Sequence, residues 1–220
     1  MIPKKLHIIF FSMIPLITIA QEKLTKNEIY SYWCYIEENR KKIESHFDST
    51  VVAYVDSLKF LKVDTIGIYS ESSSPCFILT KEGLNSISPW TAYILWVKNG
   101  KSFYQKIDKF KVFKPIVIKD SKLITFYINN KDAINSNRIM PIITDASMNE
   151  KGKFRFSTQT SSDYTAFAIY CELRGNSVLK TYRDYGLNIE DDLFYKENNN
   201  SIIKRWKELI KNQIVEIEKE

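Results

Sequence analysis

The Asn99-Gly100 pair lies between two runs of aromatic and aliphatic residues, and no other stretch constrains the fold as strongly. A two-residue type I′ turn needs positive φ at both central positions, which Asn and Gly tolerate best. We therefore expect a β-hairpin in which Lys98 pairs with Lys101. On the side that we expect to face the core, this register pairs Trp96 with Phe103, Ile94 with Gln105 and Ala92 with Ile107.

The opposite side of the predicted hairpin carries Tyr93, Tyr104 and Lys106, and its turn is flanked by Lys98 and Lys101. Aromatic rings with basic neighbours suit contact with a protein or a glycan. We therefore predict a partner-binding surface formed by Tyr93, Lys98, Lys101, Tyr104 and Lys106. The alternative is that a terminal helix covers this side, because a helix needs an apolar layer to pack against.

Helices are predicted near both ends of the chain. Thr25 and Glu28 have the spacing of a capping box, Asp48 can cap a second helix, and Ser201 can cap a C-terminal helix. The first helix should pack on the sheet through an apolar stripe of Ile29, Trp33, Ile36, Ile43 and Phe47, which Arg40 interrupts. The sequence therefore predicts an α+β fold, in which an antiparallel β-sheet packs against N- and C-terminal helices.

Further strands are predicted from alternating or β-branched runs between turn residues. They cover residues 63–69, 75–80, 116–118, 123–128 and 154–158, and a polar stretch at 70–74 separates the first two. Residues 129–150 are poorly patterned, so we expect mostly a loop there, and long loops often carry function.

A second hairpin is predicted around Gly175. Residues 164–173 alternate apolar with smaller or polar side chains, and Gly175-Asn176 suits a type II′ turn into a strand at 177–183. The competing interpretation is a helix over 163–174 that stops at Gly175.

The first 20 residues have the three parts of a secretory signal peptide. Lys4 and Lys5 precede an apolar run, and Ala20 supplies a small residue at the expected cleavage site. The run is broken by polar residues and Pro15 and is shorter than the roughly 20 residues that span a bilayer. We expect one mature domain over 21–220, in the periplasm or outside the cell and without a stable membrane anchor.

The charge of the chain argues against nucleic-acid binding. Removing Lys4 and Lys5 from the 32 basic residues leaves 30 against 26 acidic residues, a net charge of +4, and both signs are interspersed along the chain. A nucleic-acid binder usually concentrates its positive charge on one face. The 44% hydrophobic content is enough for one buried core.

Few residues suggest catalysis, and we predict no catalytic site, metal site or cofactor. His46 is the one histidine after the expected cleavage site, so a metal site built on several imidazoles is excluded within one chain. We expect the three cysteines to be buried thiols, and if one bridge forms, Cys76 and Cys171 are the preferred pair. The acidic run at 190–192 is better explained by helix capping or solvation than by a glycosidase pair.

The predicted function is that of an exported protein of the bacterial envelope, more consistent with a non-enzymatic protein-binding, inhibitor or immunity role than with an enzyme. It would occlude a protein partner through the sheet surface or the 129–150 segment. Two alternatives stay open. One is a small secreted hydrolase that uses His46, and the other is a sugar- or lipid-binding module with an aromatic pocket behind Trp90 and Trp96.

Overall fold

Six antiparallel strands form a sheet at the centre of the computed structural model, which describes residues 23–31, 47–73, 76–80, 83–87, 89–158, 164–184 and 191–219. The strands are β1 (Thr65–Ser73), β2 (Cys76–Thr80), β3 (Gly83–Ile87), β4 (Trp90–Lys98), β5 (Lys101–Asp108), β6 (Ile116–Ile118), β7 (Ile143–Met148), β8 (Phe154–Thr158), β9 (Thr165–Leu173) and β10 (Asn176–Asp184). The helices are α1 (described over residues 26–31), α2 (Ser49–Phe60), α3 (Lys122–Ser136), α4 (Tyr195–Asn199) and α5 (Ile202–Ile217).

The central sheet has the strand order β10-β9-β1-β4-β5-β6, while β2 with β3 and β7 with β8 form two-stranded hairpins. Every pairing between neighbouring strands is antiparallel. Helix α2 packs on one face of the central sheet and helices α3 and α5 pack on the other. The predicted α+β fold, with an antiparallel sheet packed against N- and C-terminal helices, is confirmed.

The Asn99-Gly100 turn has the predicted geometry and register. Both residues have positive φ, 51° and 72°, and Lys98 pairs with Lys101. All three predicted pairs of the core-facing side are present in the ladder between β4 and β5.

The second hairpin turns one residue earlier than predicted. Leu173 pairs with Asn176, so Arg174 and Gly175 form the turn, with φ values of 49° and 80°. The prediction of a Gly175-Asn176 turn was therefore wrong, because the two positive φ angles fall one position upstream. The helix over 163–174 is excluded for its described part, since β9 pairs on both sides.

Helix α2 covers the face of the sheet that the sequence assigns to the core. Asp48 caps the helix by accepting a hydrogen bond from the Thr50 amide at 2.9 Å, as predicted. Val51, Val55 and Leu58 are buried in one cluster with sheet residues from β1, β4, β5 and β9. A single helix is thus enough to bury the middle of this face.

The other face, where either a partner or a terminal helix was expected, lies under α3 and α5. Ser201 caps α5 as predicted, by accepting from the Lys204 amide at 3.1 Å. Trp206 of α5 is fully buried and donates its indole N–H to the Leu123 carbonyl of α3 at 3.0 Å. The two helices therefore form one layer on the sheet.

Helix α3 replaces the strand that was predicted at 123–128. Ser121 caps it by accepting from the Ile124 amide at 3.3 Å. Its β-branched and aromatic residues resemble a strand, but Leu123, Tyr127 and Ile134 recur at helical spacing and are all buried. The prediction of a loop over 129–150 was also wrong for most of its length, because α3 continues to Ser136 and β7 begins at Ile143.

Strand β1 runs through most of the polar stretch that was predicted to interrupt it. Ser70 pairs with Ala92 on one side and Ala168 on the other, and pairing continues to Ser73. Backbone hydrogen bonds on both sides of a central strand hold it extended although its side chains are polar.

Helix α1 begins with the predicted capping box. The Thr25 amide donates to Glu28 at 2.8 Å, and Thr25 Oγ1 accepts from the Glu28 amide at 3.4 Å. Ile29 is fully buried in a cluster with β7 residues and Phe194, so this part of the helix packs on the β7–β8 hairpin instead of the central sheet. Outside the described residues lie Trp33, Ile36 and Ile43 of the predicted stripe, the interrupting Arg40 and the segment 1–20 that was predicted to be a signal peptide. Among the described helices, none has both the length and the apolar character needed to cross a membrane.

Candidate functional site

Three of the five predicted partner-binding residues lie together at the C-terminal end of α5. Tyr104 is 5% exposed, and its hydroxyl donates a hydrogen bond to Glu218 Oε1 at 3.3 Å. Lys106 Nζ forms an ion pair with the same carboxylate at 2.8 Å. Tyr93 stacks on Tyr104 and has Lys106 Nζ 5.8 Å from its ring centroid. Tyr104 therefore has little surface left for a partner, whereas Tyr93 and Lys106 are partly exposed.

The tyrosines of this group stay protonated at neutral pH. Burial, followed by the nearby carboxylates of Glu218, Glu71 and Asp108, raises the pKa of Tyr93 to about 12. Burial and Glu218 also raise the pKa of Tyr104. Both phenols are thus suited to packing and hydrogen bonding, and neither is suited to act as a base or nucleophile near pH 7.

Lys98 and Lys101 lie apart from the other three residues. They flank the Asn99-Gly100 turn, five residues along β4 from Tyr93. At about 3.3 Å per residue this is a distance of about 17 Å. The structure therefore does not gather the five predicted residues into one site, and their role in partner binding stays a prediction.

A surface that the sequence analysis did not single out lies at the β6 edge of the sheet. We call it the edge surface, and it consists of the exposed residues Lys109, Phe110, Lys111, Val112, Lys114, Ile116 and Val117. Its charge is visible in the sequence, because residues 109–117 include three lysines and no acidic residue. Basic and apolar residues alternate over 109–114, but exposure cannot be read from that alternation.

The backbone of the edge surface is held by hydrogen bonds to β5. Asp108 Oδ1 accepts from the amides of Phe110 and Lys111, each at 2.8 Å, which fixes a tight turn with Phe110 at its tip. The Phe113 amide then donates to the Lys106 carbonyl at 3.0 Å, and Gln105 Nε2 donates to the Phe113 carbonyl at 2.6 Å. The chain is thereby fixed against the sheet before β6 begins.

The side chains of the edge surface are both apolar and basic. Phe110 is 79% exposed and Val117 is 64% exposed. Within the described part of the chain, no ion pair involves Lys109, Lys111 or Lys114. Exposed apolar side chains grouped on a folded domain commonly mark an interaction site.

The edge surface offers side chains more readily than backbone groups. Strand β6 is three residues long, and Pro115 directly before it has no N–H to donate. Short edge strands, lysines and proline all disfavour the addition of another strand. A partner is therefore expected to contact the phenylalanine, valine, isoleucine and lysine side chains.

Where the structure describes the residues that were considered for catalysis, their contacts are structural. Cys171 is a buried free thiol, so it forms no bridge with Cys76, and burial raises its pKa to about 12. Asp192 accepts hydrogen bonds from the amides of Ile143 and Phe194, so it binds backbone groups, whereas α4 begins at Tyr195 without a side-chain cap. His46 and Cys34 lie outside the described residues. No group of three or more potential metal ligands occurs in the described ranges.

The fold and this surface together define an α+β protein with an exposed basic and apolar sheet edge. The chain matches no family model, no curated protein and no solved structure.

Proposed function

We propose that the protein is an exported, non-enzymatic binding protein of the bacterial envelope, which occludes an acidic surface of a protein partner with its edge surface. The observation that carries this proposal is the exposure of Phe110 and Val117 beside Lys109, Lys111 and Lys114, which form no ion pair within the described part of the chain. Apolar side chains supply contact area once water is excluded, and the excess of positive charge favours an acidic partner and speeds the encounter.

The contact surface that we propose includes two of the predicted residues. Lys106 Nζ lies 5.5 Å from the centroid of the Phe113 ring, which connects Lys106 and its neighbour Tyr93 to the edge surface. Tyr104 is buried and would pack beneath Tyr93 without contacting the partner. The 129–150 segment is the weaker candidate, since most of it belongs to α3 and β7.

Export is the second part of the proposal and rests on the pattern of the first 20 residues. Processing after Ala20 would give a chain that begins at Gln21. N-terminal sequencing of the protein recovered from the producing cells tests this directly. A chain that still begins at Met1 in the cytosolic fraction would contradict export.

Affinity capture with matched variants tests the binding role. The wild-type protein, immobilised and incubated with an envelope extract, is expected to retain one protein in stoichiometric amount. The Phe110→Ser/Lys109→Glu variant should lose that protein, because it removes the most exposed apolar side chain of the edge surface and reverses a charge beside it. The control is Phe60→Ser/Lys101→Glu, which makes the same chemical changes outside the edge surface and should retain the partner.

The outcomes of this capture experiment are distinct. Equal recovery by wild type and the edge variant would mean that the edge surface is not the contact. Recovery of no stoichiometric protein by the wild type would contradict a protein-binding role altogether.

A further inference from the structure

A second basic surface lies at one end of the central sheet, where three chain connections meet. Lys98 and Lys101 close the β4–β5 turn, and Ile118 at the end of β6 pairs with Ser102 beside it. The β9–β10 turn is at the same end, because Thr65 at the start of β1 pairs with Leu173. We call this surface the basic end, and its residues are Phe60, Leu61, Lys62, Lys98, Lys101, Lys119 and Arg174.

The C-terminal end of α2 is fixed at the basic end by backbone and side-chain contacts. The Arg174 amide donates to the Asp64 carbonyl at 2.8 Å, which joins the β9–β10 turn to the residues that follow α2. Lys59 of the last helical turn forms an ion pair with Glu172 of β9 at 2.7 Å. The last turn of α2 therefore has a defined place beside the strand ends.

Two large apolar side chains project into solvent from the C-terminal end of α2. Phe60 is 88% exposed and Leu61 is 53% exposed, whereas Leu58 and Val63 on either side of them are buried. The helix ends here with Lys62 at a positive φ of 60°, and the Val63 amide donates to the Leu58 carbonyl at 3.0 Å. The fold thus buries its core residues at this helix end and leaves Phe60 and Leu61 outside the core.

The charges at the basic end are mostly positive. Five cationic side chains occur at the basic end, and none of them has an ion-pair partner among the residues that the structure describes: Lys62, Lys98, Lys101, Lys119 and Arg174. The nearby acidic residues are Asp64, Asp120 and the Glu172 carboxylate that Lys59 already neutralises. The surface therefore combines an excess of positive charge with exposed apolar groups.

We propose that the basic end docks the protein onto an anionic lipid surface. Phe60 and Leu61 would enter the headgroup region, and the lysines and Arg174 would lie against the lipid phosphates. Lysines and arginines near a membrane each add to its attraction for anionic lipid, and apolar side chains at the interface add burial that a neutral surface also provides. The two observations together favour a lipid surface over a purely electrostatic contact.

This inference goes beyond the proposed function, and the side chains it depends on lie away from the Phe110 turn, although the two surfaces adjoin along β6. Phe110 follows the far end of β5, whose first residue is Lys101 and whose last is Asp108. Seven residue steps at about 3.3 Å place the Phe110 turn about 23 Å from the basic end. A protein docked by the basic end would keep the Phe110 turn free for a partner.

Sedimentation with lipid vesicles tests the proposal, using the processed chain as purified from the producing cells. The vesicles contain either phosphatidylcholine alone or a mixture with phosphatidylglycerol. The protein is expected to bind the anionic vesicles and to bind the neutral ones at least about tenfold more weakly, and 0.5 M salt should reduce the binding. The Phe60→Ser/Lys101→Glu variant should lose at least about tenfold in affinity for anionic vesicles.

The matched control is Phe110→Ser/Lys109→Glu, which carries the same chemical changes and should bind vesicles like the wild type. Circular dichroism and thermal melting confirm that both variants are folded. Equal binding to neutral and anionic vesicles, no binding to either, or an equal loss in both variants would overturn the proposal. So would a basic-end variant that keeps its vesicle affinity but loses the captured protein, because the basic end would then bind protein instead of lipid.

The two proposals fail in different ways. Loss of the captured protein on changing Phe110 depends on the edge surface alone, whereas loss of vesicle binding on changing Phe60 depends on the basic end alone. Each variant is thus the control for the other experiment.

Discussion

Gly67 shows how one residue sets the distance between a helix and the sheet. A Cβ atom at this position would lie 2.4 Å from Leu123 Cδ2 and 3.3 Å from Ile124 Cγ1. Leu123 is fully buried, so its side chain has little space into which it can move. The absence of a side chain at Gly67 therefore allows α3 to pack directly on β1.

The Gly67→Ala variant is expected to lose about 1–3 kcal/mol of unfolding free energy, because the added methyl group overpacks the interface between α3 and β1. Urea denaturation measures the loss. In a Leu123→Ala background the same change should cost less, since the clashing atoms are gone, and the coupling between the two substitutions is the control. An unchanged midpoint for Gly67→Ala would contradict the close packing.

Cys171 is predicted to be unreactive while the protein is folded. Its burial and a pKa raised to about 12 keep the thiol protonated and out of reach of reagents. In a Cys34→Ala/Cys76→Ala background, alkylation at pH 8 should be at least about 100-fold slower in buffer than in denaturant, because it requires local opening. Similar rates in the two conditions would show that the thiol is accessible.

At the scale of the elements, the buried side-chain amide of Gln213 joins α5 to the N-terminal end of α3. Gln213 of α5 accepts from the Lys122 amide and donates to the Asp120 carbonyl, each at 2.9 Å. One side chain thus satisfies two backbone groups at the N-terminal end of α3, which have no partner within the helix.

Gln213→Met, which preserves the length of the side chain, should lower the unfolding free energy by about 1–3 kcal/mol because it leaves both backbone groups unpaired. Chemical denaturation measures this loss. Asn212→Ala, at the neighbouring exposed position, is the control and should change stability by less than about 0.5 kcal/mol. Equal effects of the two substitutions would contradict the bridging role of Gln213.

The elements that could be predicted are those whose signal is local. The Asn99-Gly100 turn, the caps at Asp48 and Ser201 and the capping box at Thr25 depend on a few adjacent residues. Helix α3 was missed because residues 123–128 have high β propensity, and their helical state depends on the Ser121 cap and on packing against Gly67 and α5. Such contacts between distant segments are not visible in the sequence.

At the scale of the whole molecule, two helical layers enclose the sheet, and this arrangement decides which predicted site residues reach the surface. The hairpin register placed Tyr93, Tyr104 and Lys106 correctly on one face, but the position of α5 buried Tyr104. The edge surface is recognisable from its charge in the sequence, while its exposure follows from the sheet order, which places β6 at an edge.

The buried phenols and thiol predict that stability decreases in alkali. The pKa values of Tyr93 and Cys171 are raised to about 12, and those of Tyr104 and Tyr170 are also raised, chiefly by burial. The fold favours the protonated forms, so their contribution is complete below about pH 7.5, where an unfolded thiol with a pKa of about 8.5 is still mostly protonated. It is then lost as the pH rises towards 12.

The urea midpoint should accordingly be constant between about pH 7 and 7.5 and fall steadily above that range. Tyr104→Phe removes one titrating hydroxyl and should make the decrease above about pH 10 shallower. A midpoint that rises between pH 9 and 11 would contradict the burial of these groups.

The central functional claim is that the edge surface contacts a protein. Site-specific photo-crosslinking in the producing cells tests it most directly, with a benzophenone amino acid placed at Phe110 or, as the control, at Phe60. We predict one discrete protein adduct from position 110 and none of the same mass from position 60. The absence of a protein adduct at position 110, or the same adduct from both positions, would contradict the claim.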